Sequence, residues 1–224
     1  MARQLSFELP ARPARGRGDF FVSNANATAV ALIEAWPDWP ARKLVLCGPE
    51  GAGKTHLAHV WADLSGAMIV QAAELAGADV PALASAHVAV ENASDIAGVV
   101  EAETALFHLH NLALAEGRSL LVTARAAPSA WAFALPDLAS RLQGTPTCML
   151  EEPDDTLLGA VMMKQFADRQ ILPSPGTITY LTRRIPRSFE AAKRTVEALD
   201  ALSLSTGRPV GRALAAALLD KSGG

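Results

Sequence analysis

The octet Gly48-Pro49-Glu50-Gly51-Ala52-Gly53-Lys54-Thr55 satisfies G-x-x-x-x-G-K-[ST] at every fixed position. That pattern describes a loop whose backbone amides surround phosphate, and it leaves few folds open. Glycines at 48, 51 and 53 let the backbone turn until several N–H groups face one concavity, where a side chain would collide with phosphate. A helix starting near Gly53 adds its free amides and the positive end of its dipole. Lys54 then reaches the β- and γ-phosphates, and the Thr55 hydroxyl can ligate Mg²⁺. The flanks agree. Residues 43–47 form a short apolar run, and Leu57, Val60, Trp61 and Leu64 recur with helical spacing. A dinucleotide-binding turn is disfavoured, because Gly48, Gly51 and Gly53 read G-x-x-G-x-G. Ala52 and His56 complete the loop's candidate nucleotide contacts, with His56 equally readable as a space-filling neighbour.

The remaining composition excludes more than it assigns. Twenty basic residues against 23 acidic ones give a formal net charge of −3, which argues for neither nucleic acid nor an anionic membrane as the main partner. The two cysteines, Cys47 and Cys148, each lie in an apolar run and read as buried, reduced strand residues. No apolar stretch approaches membrane-spanning length, and no signal-peptide core follows Met1, so a cytoplasmic protein is expected. With 224 residues, half of them hydrophobic, the chain can build one α/β domain and a smaller appendage.

Residues 1–18 divide into an amphipathic patch, Gln4-Leu5-Ser6-Phe7-Glu8-Leu9, and a basic Pro/Gly tether. An apolar plug on a tether is either a strand that folds back on its own domain or a peptide that docks elsewhere, and residue type alone favours folding back. Asn24 or Asn26 is the expected N-cap of a helix through Ala29, Leu32, Ile33 and Trp36. Apolar runs at 67–70, 88–90, 119–123 and 147–150 join residues 43–47 as five strands. Helices are expected over 98–115 and 131–142, with a weak helix or loop over 73–84. This alternation predicts a parallel sheet within 19–152, covered on both faces. From 153 to 224 the pattern is all-helical, with segments at 154–168, 174–184, 188–204 and 210–220. Phe189, Ala192, Val196 and Leu199 mark one helix face. Trp36, Trp39, Trp61 and Trp131 read as packing residues, and His108 and His110 as no zinc pair, being two apart on a helix.

Ligands collect at the carboxyl ends of parallel strands, so polar strand ends become candidates. Glu91 ends the third strand, where a Mg²⁺-coordinating carboxylate is expected; its plainer reading is a polar terminus. Thr123 ends the fourth strand within reach of a γ-phosphate or a water, or is an ordinary β-forming residue.

Taken in order, the loop, Val90-Glu91-Asn92, Val122-Thr123-Ala124-Arg125, Pro136-Asp137-Leu138-Ala139-Ser140-Arg141-Leu142 and Ile185-Pro186-Arg187-Ser188-Phe189-Glu190 resemble an AAA+ module of the DnaA type over residues 19–220. Within that family the wording is most similar to the short Hda-type regulators that inactivate the replication initiator. The resemblance implies a five-stranded AAA+ P-loop domain and a small helical lid that ends the chain, without a DNA-binding domain and without direct sequence-specific DNA contact. It implies ADP or ATP with Mg²⁺ held by Thr55 and Glu91, Phe21 and Val22 against the adenine, and Arg187 as a lid sensor of the phosphates. Core packing explains Phe21 and Val22 equally well. Arg141 becomes an arginine finger acting on a neighbour's nucleotide, against the plainer reading of a surface arginine. Gln4, Leu5 and Phe7 become a motif for the β sliding clamp, which reverses the expectation of self-docking. The implied partners are DnaA and the clamp, no membrane, with room for a homo-oligomer.

One departure carries weight. DnaA-type ATPases usually show two aspartates where this chain has Glu91-Asn92, and Asn92 cannot accept a proton as a carboxylate base can. Weak hydrolysis in cis is expected, with ADP as the resident nucleotide. Two other readings stand beside the regulator: a stand-alone AAA+ ATPase that loads or remodels a replication protein, and a small P-loop kinase.

Overall fold

The computed structural model describes residues 21–222. Its strands form where the sequence runs apolar without a break: β1 (Lys43–Cys47), β2 (Met68–Gln71), β3 (Val88–Glu91), β4 (Leu120–Ala124) and β5 (Thr147–Met149). They make one five-stranded sheet, ordered β2-β3-β4-β1-β5, and every pairing is parallel. Alternate residues feed opposite cores. Val45, Val88, Val90, Leu120 and Val122 pack with Leu106 and Leu109, whereas Leu44, Leu46, Ala89, Leu121 and Cys148 pack with Ile33, Leu57 and Trp61. Burial on both faces is why these strands read as continuous apolar runs. The order sets β1 between β4 and β5, so the loop leaving β1 emerges between the carboxyl ends of its two neighbours.

Helices α1 (Ala27–Glu34), α2 (Lys54–Ser65), α3 (Val80–Ala84), α4 (Val100–Ala115) and α5 (Pro136–Gln143) cover the sheet. Asn26 takes the cap position of α1, but its side chain does not cap. Its Oδ1 accepts the Ser23 N–H at 2.8 Å and its Nδ2 donates to the Phe21 carbonyl at 2.9 Å. The expected helix over 131–142 is shorter than its apolar pattern. A 3-10 turn (Pro128–Ala130) comes first, Trp131 anchors the following loop by donating to the Ala126 carbonyl at 2.8 Å, and Pro136 starts α5. The segment over 73–84 splits into a 3-10 turn (Ala72–Gly77) and α3, which Asp79 caps. The tryptophans do pack: Trp39 stacks on Trp61 at 5.1 Å and Trp36 meets Trp61 edge-on at 6.2 Å. Cys47 and Cys148 are buried and free.

After β5 come α6 (Asp155–Asp168), α7 (Thr177–Thr182), α8 (Phe189–Thr206) and α9 (Arg212–Ser222). They share a core of their own that includes Leu158, Phe166, Leu181, Val196, Leu199 and Leu214. Asp154 and Ser188 cap α6 and α8, accepting the N–H groups of Leu157 at 2.7 Å and Ala191 at 3.1 Å. Among the described residues no helix is long and apolar enough to cross a membrane. Gln4, Leu5 and Phe7 lie outside the described residues.

Candidate phosphate-binding cleft

A cleft of about 980 Å³ opens where the loop between β1 and α2 faces α6 and α8. Its floor is Gly51, Ala52, Gly53, Lys54, Thr55 and His56; its apolar walls include Phe21, Leu150, Leu157 and Val161. The glycines are fixed by what approaches them. Gly48 has φ +154, and a Cβ there would lie 2.6 Å from the Leu150 carbonyl oxygen. Gly51 (φ +76) abuts Ser188, and Gly53 (φ +99) abuts the Phe189 ring. The Phe189 N–H donates to the Gly51 carbonyl at 3.1 Å, which joins the start of α8 directly to the loop.

Lys54 is buried and donates to the carbonyls of Gly48 and Pro49, each at 2.7 Å. Burial pulls its pKa below the ordinary lysine value and nearby Arg125 adds to that, while Cys47, Glu50 and Glu91 oppose it. Arg125 lines the cleft just past the end of β4 and pairs with Glu50 at 3.5 Å. The sequence reading passed over Arg125 as a site residue, although its place at a strand's carboxyl end was the available signal. It also passed over Asn26, Leu150, Leu157 and Val161. Their contribution depends on how the C-terminal helices lie against the sheet.

Glu91 and Thr123 are buried at the adjacent strand ends. Glu91 Oε2 accepts from Gln71 Nε2 at 2.9 Å, whereas Glu91 Oε1 has no hydrogen-bond partner among the described residues. A buried carboxylate oxygen without a donor is costly unless a cation or water meets it. Thr55 lines the cleft, whereas neither Glu91 nor Thr123 does, so Glu91 Oε1 is an orphaned acceptor behind the lining. Asn92 lines the cleft in the left-handed region (φ +59), its N–H on Thr123 Oγ1 at 3.2 Å.

Six expected site residues do not line the cleft: Gly48, Glu91 and Thr123, which lie at strand ends beside it, and Arg187, Val22 and Arg141. Arg187 is not a cleft residue; Arg187 Nη2 pairs with Asp155 Oδ1 at 2.8 Å, holding it to α6. Val22 packs against the core beneath α1 and does not line the cleft, while Phe21 does. Arg141 is exposed on α5, its guanidinium 5.2 Å from the centre of the Phe107 ring. Its carbonyl accepts from Lys43 Nζ at 3.2 Å. Lys43 opens β1 and Cys47 closes it, a rise of roughly 13 Å. Arg141 thus stands at the opposite end of the sheet from its own phosphate loop.

No family model matches the chain. An uncharacterized protein of Haemophilus influenzae is 28% identical over 175 residues, covering 72% of this chain and 74% of that one. Among solved structures, domain III of the Thermotoga maritima replication initiation protein DnaA superposes with a TM-score of 0.77 at 16% identity, over 91% of this chain and 94% of that domain. This chain spans less of two longer proteins. It covers 64% of a DNA replication initiation factor (TM-score 0.74, 14% identity, 84% of this chain). It covers 63% of the replication initiator DnaA bound to AMPPCP and single-stranded DNA (TM-score 0.68, 16% identity, 81% of this chain). At these identities the likeness establishes the fold alone: a five-stranded parallel sheet with helices and a helical C-terminal part, as in domain III of that DnaA.

Proposed function

We propose that this protein binds an adenine nucleotide, ADP in its resting form, and acts as an Hda-type regulator that stimulates ATP hydrolysis on DnaA. Arg141 carries the reading. It is exposed, and it lies at the far end of the sheet from its own phosphate loop. A guanidinium so placed is out of reach of its own phosphate loop and open to a nucleotide held by another subunit. Supplied in trans, a fixed guanidinium neutralises charge building on the γ-phosphoryl oxygens and accelerates hydrolysis by about 10³–10⁵.

In this reading Lys54 exchanges the Gly48 and Pro49 carbonyls for phosphate oxygens. Arg187 reaches the phosphates by leaving Asp155. Phe21, with Leu150, Leu157 and Val161, encloses the base, and Thr55 and Glu91 hold Mg²⁺. Asn92 in place of a carboxylate keeps hydrolysis in cis slow. Residues Gln4, Leu5 and Phe7 tether the protein to the β sliding clamp, so the finger works where replication is under way.

The test mixes the full chain, DNA-loaded clamp and ATP-bound DnaA, and follows phosphate release for wild type, Arg141→Ala and Gln4→Ala. Wild type accelerates release, Arg141→Ala does not, and Gln4→Ala loses the clamp-dependent part. Equal acceleration by wild type and Arg141→Ala ends the regulatory reading. Rapid turnover by the protein alone favours the stand-alone ATPase instead.

A further inference from the structure

Two opposite charges meet at the phosphate loop. Parallel pairing sets Cys47, the last residue of β1, beside Ala124, the last of β4, and the Gly48 N–H donates to the Ala124 carbonyl at 3.2 Å. Arg125 therefore leaves its strand alongside the first residue of the loop. Arg125 Nη2 lies 3.5 Å from Oε2 of Glu50, a residue of the loop itself, and both side chains line the cleft. Their side chains are 63% and 83% exposed, so the pair is weakly held and a phosphate can compete for it. Among the charges that line the cleft, these two are the ones that act on Lys54. After burial, Arg125 does most to lower its pKa, and Glu50 opposes that. Lys54 in turn marks where the β- and γ-phosphates belong. The remaining lysines and carboxylates of the lining lie on the turn after β3 or on α6 and α8.

A guanidinium offers a planar fork of donors that fits phosphate oxygens, and a carboxylate presents the same kind of acceptor as a phosphate does. Glu50 thus occupies the very group that a further phosphoryl would seek. A triphosphate differs from a diphosphate by one phosphoryl group and its negative charge, added at this end of the nucleotide. Arg125 alone favours that charge, Glu50 alone opposes it, and as a pair they largely cancel. We propose that the Glu50–Arg125 pair sets the choice between nucleoside diphosphate and triphosphate: Arg125 is the group able to receive a γ-phosphoryl, and Glu50 restrains it, so that the third phosphate adds little and the diphosphate is retained. The inference rests on the nucleotide reading above and adds to it the two residues that decide which adenine nucleotide is resident. Both act inside their own cleft and have no part in the trans contact assigned to Arg141.

The experiment measures binding, with activity left aside. A fluorescent ADP analogue is bound to the full chain with Mg²⁺ and displaced by ADP or by AMPPCP, for wild type, Glu50→Gln, Arg125→Met and the double variant. The readout is the ratio of the two Kd values. Both substitutions keep much of the side-chain volume at exposed positions, and an unchanged Tm without nucleotide confirms that each variant is folded. Glu50→Gln shifts the ratio toward the triphosphate by at least about threefold, and Arg125→Met shifts it toward the diphosphate by a similar factor, the size expected of exposed charges. The double variant returns to within about twofold of wild type, because the two effects are opposite in sign. A ratio that stays at the wild-type value in either single variant overturns the inference. So does a shift of both in the same direction, or an equal loss of ADP and AMPPCP, which marks general support of the loop. If wild type binds neither nucleotide, the functional reading itself fails, whereas binding of both with one ratio throughout the series defeats this inference alone.

Discussion

The carboxylate of Glu103, on α4, accepts the backbone N–H of Leu135 at 2.7 Å, the residue immediately before α5. It also accepts the N–H groups of Ala134 at 3.0 Å and Gly98 at 2.7 Å. A single buried side chain therefore satisfies three backbone donors and fixes where the helix carrying Arg141 begins. Glu103→Gln keeps the shape but turns an acceptor into a donor. It is expected to cost about 3 kcal/mol or more, since buried donors left unmet cost about 1–3 kcal/mol each. Urea unfolding reads the loss. On the proposed regulatory reading, stimulation of DnaA hydrolysis by the folded variant falls while ADP affinity holds; equal loss of both would place the damage elsewhere.

The contact of Ser188 with Gly51 makes a prediction about the C-terminal helices. A Cβ at Gly51 would lie 2.3 Å from Ser188 Cβ, at φ +76. Gly51→Ala therefore combines backbone strain of about 1–3 kcal/mol with a collision that pushes the start of α8 off the loop. Gly66→Ala is the control, because φ is +71 there but no atom lies within 4 Å. Limited proteolysis should cut faster within 155–222 in the first variant only. Matching cleavage rates would show that the contact does not hold those helices.

Nucleotide should stabilise the fold through Lys54. A ligand at 100 times its Kd adds about 2.7 kcal/mol to the folded state, a shift of several degrees in Tm. Lys54→Ala should remove that shift, and its nucleotide-free Tm should stay near wild type, since the lysine bonds only to carbonyls of its own loop. An undiminished ADP shift in this variant would move the phosphate site away from the loop.

Acid should weaken the fold through two histidines. Burial lowers the pKa of His110 below the usual 6.5, and Lys43 and Arg141 add to it, opposed by a hydrogen bond with Asn111. Burial likewise lowers His87, helped by Arg118 and Arg42. Around pH 6.5, where an unfolded histidine is half protonated, each is protonated less in the folded chain than in the unfolded one. Their contribution to stability is complete above pH 6.5 and shrinks as pH falls from there toward the depressed values. Urea midpoints between pH 5 and 7.5 measure the slope, and His110→Asn should flatten it. An unchanged slope in that variant and in His87→Asn would exclude both residues as its source.

The sequence determined what local chemistry dictates. The phosphate loop, the five strands and the apolar faces of the C-terminal helices are written in spacing, because a strand buried on both faces and a loop around phosphate tolerate few residue types. Tertiary structure decided what depends on which groups meet. Arg187 finds Asp155 instead of the cleft, Asn26 turns back to Ser23 and Phe21, and the pattern over 131–142 yields to Trp131, Pro136 and the Glu103 clamp. Gln71 carries no signal in a linear reading. It meets Glu91 only when parallel pairing sets β2 beside β3, since a hydrogen bond about 20 residues apart along the chain is created by the sheet and not by the sequence around it.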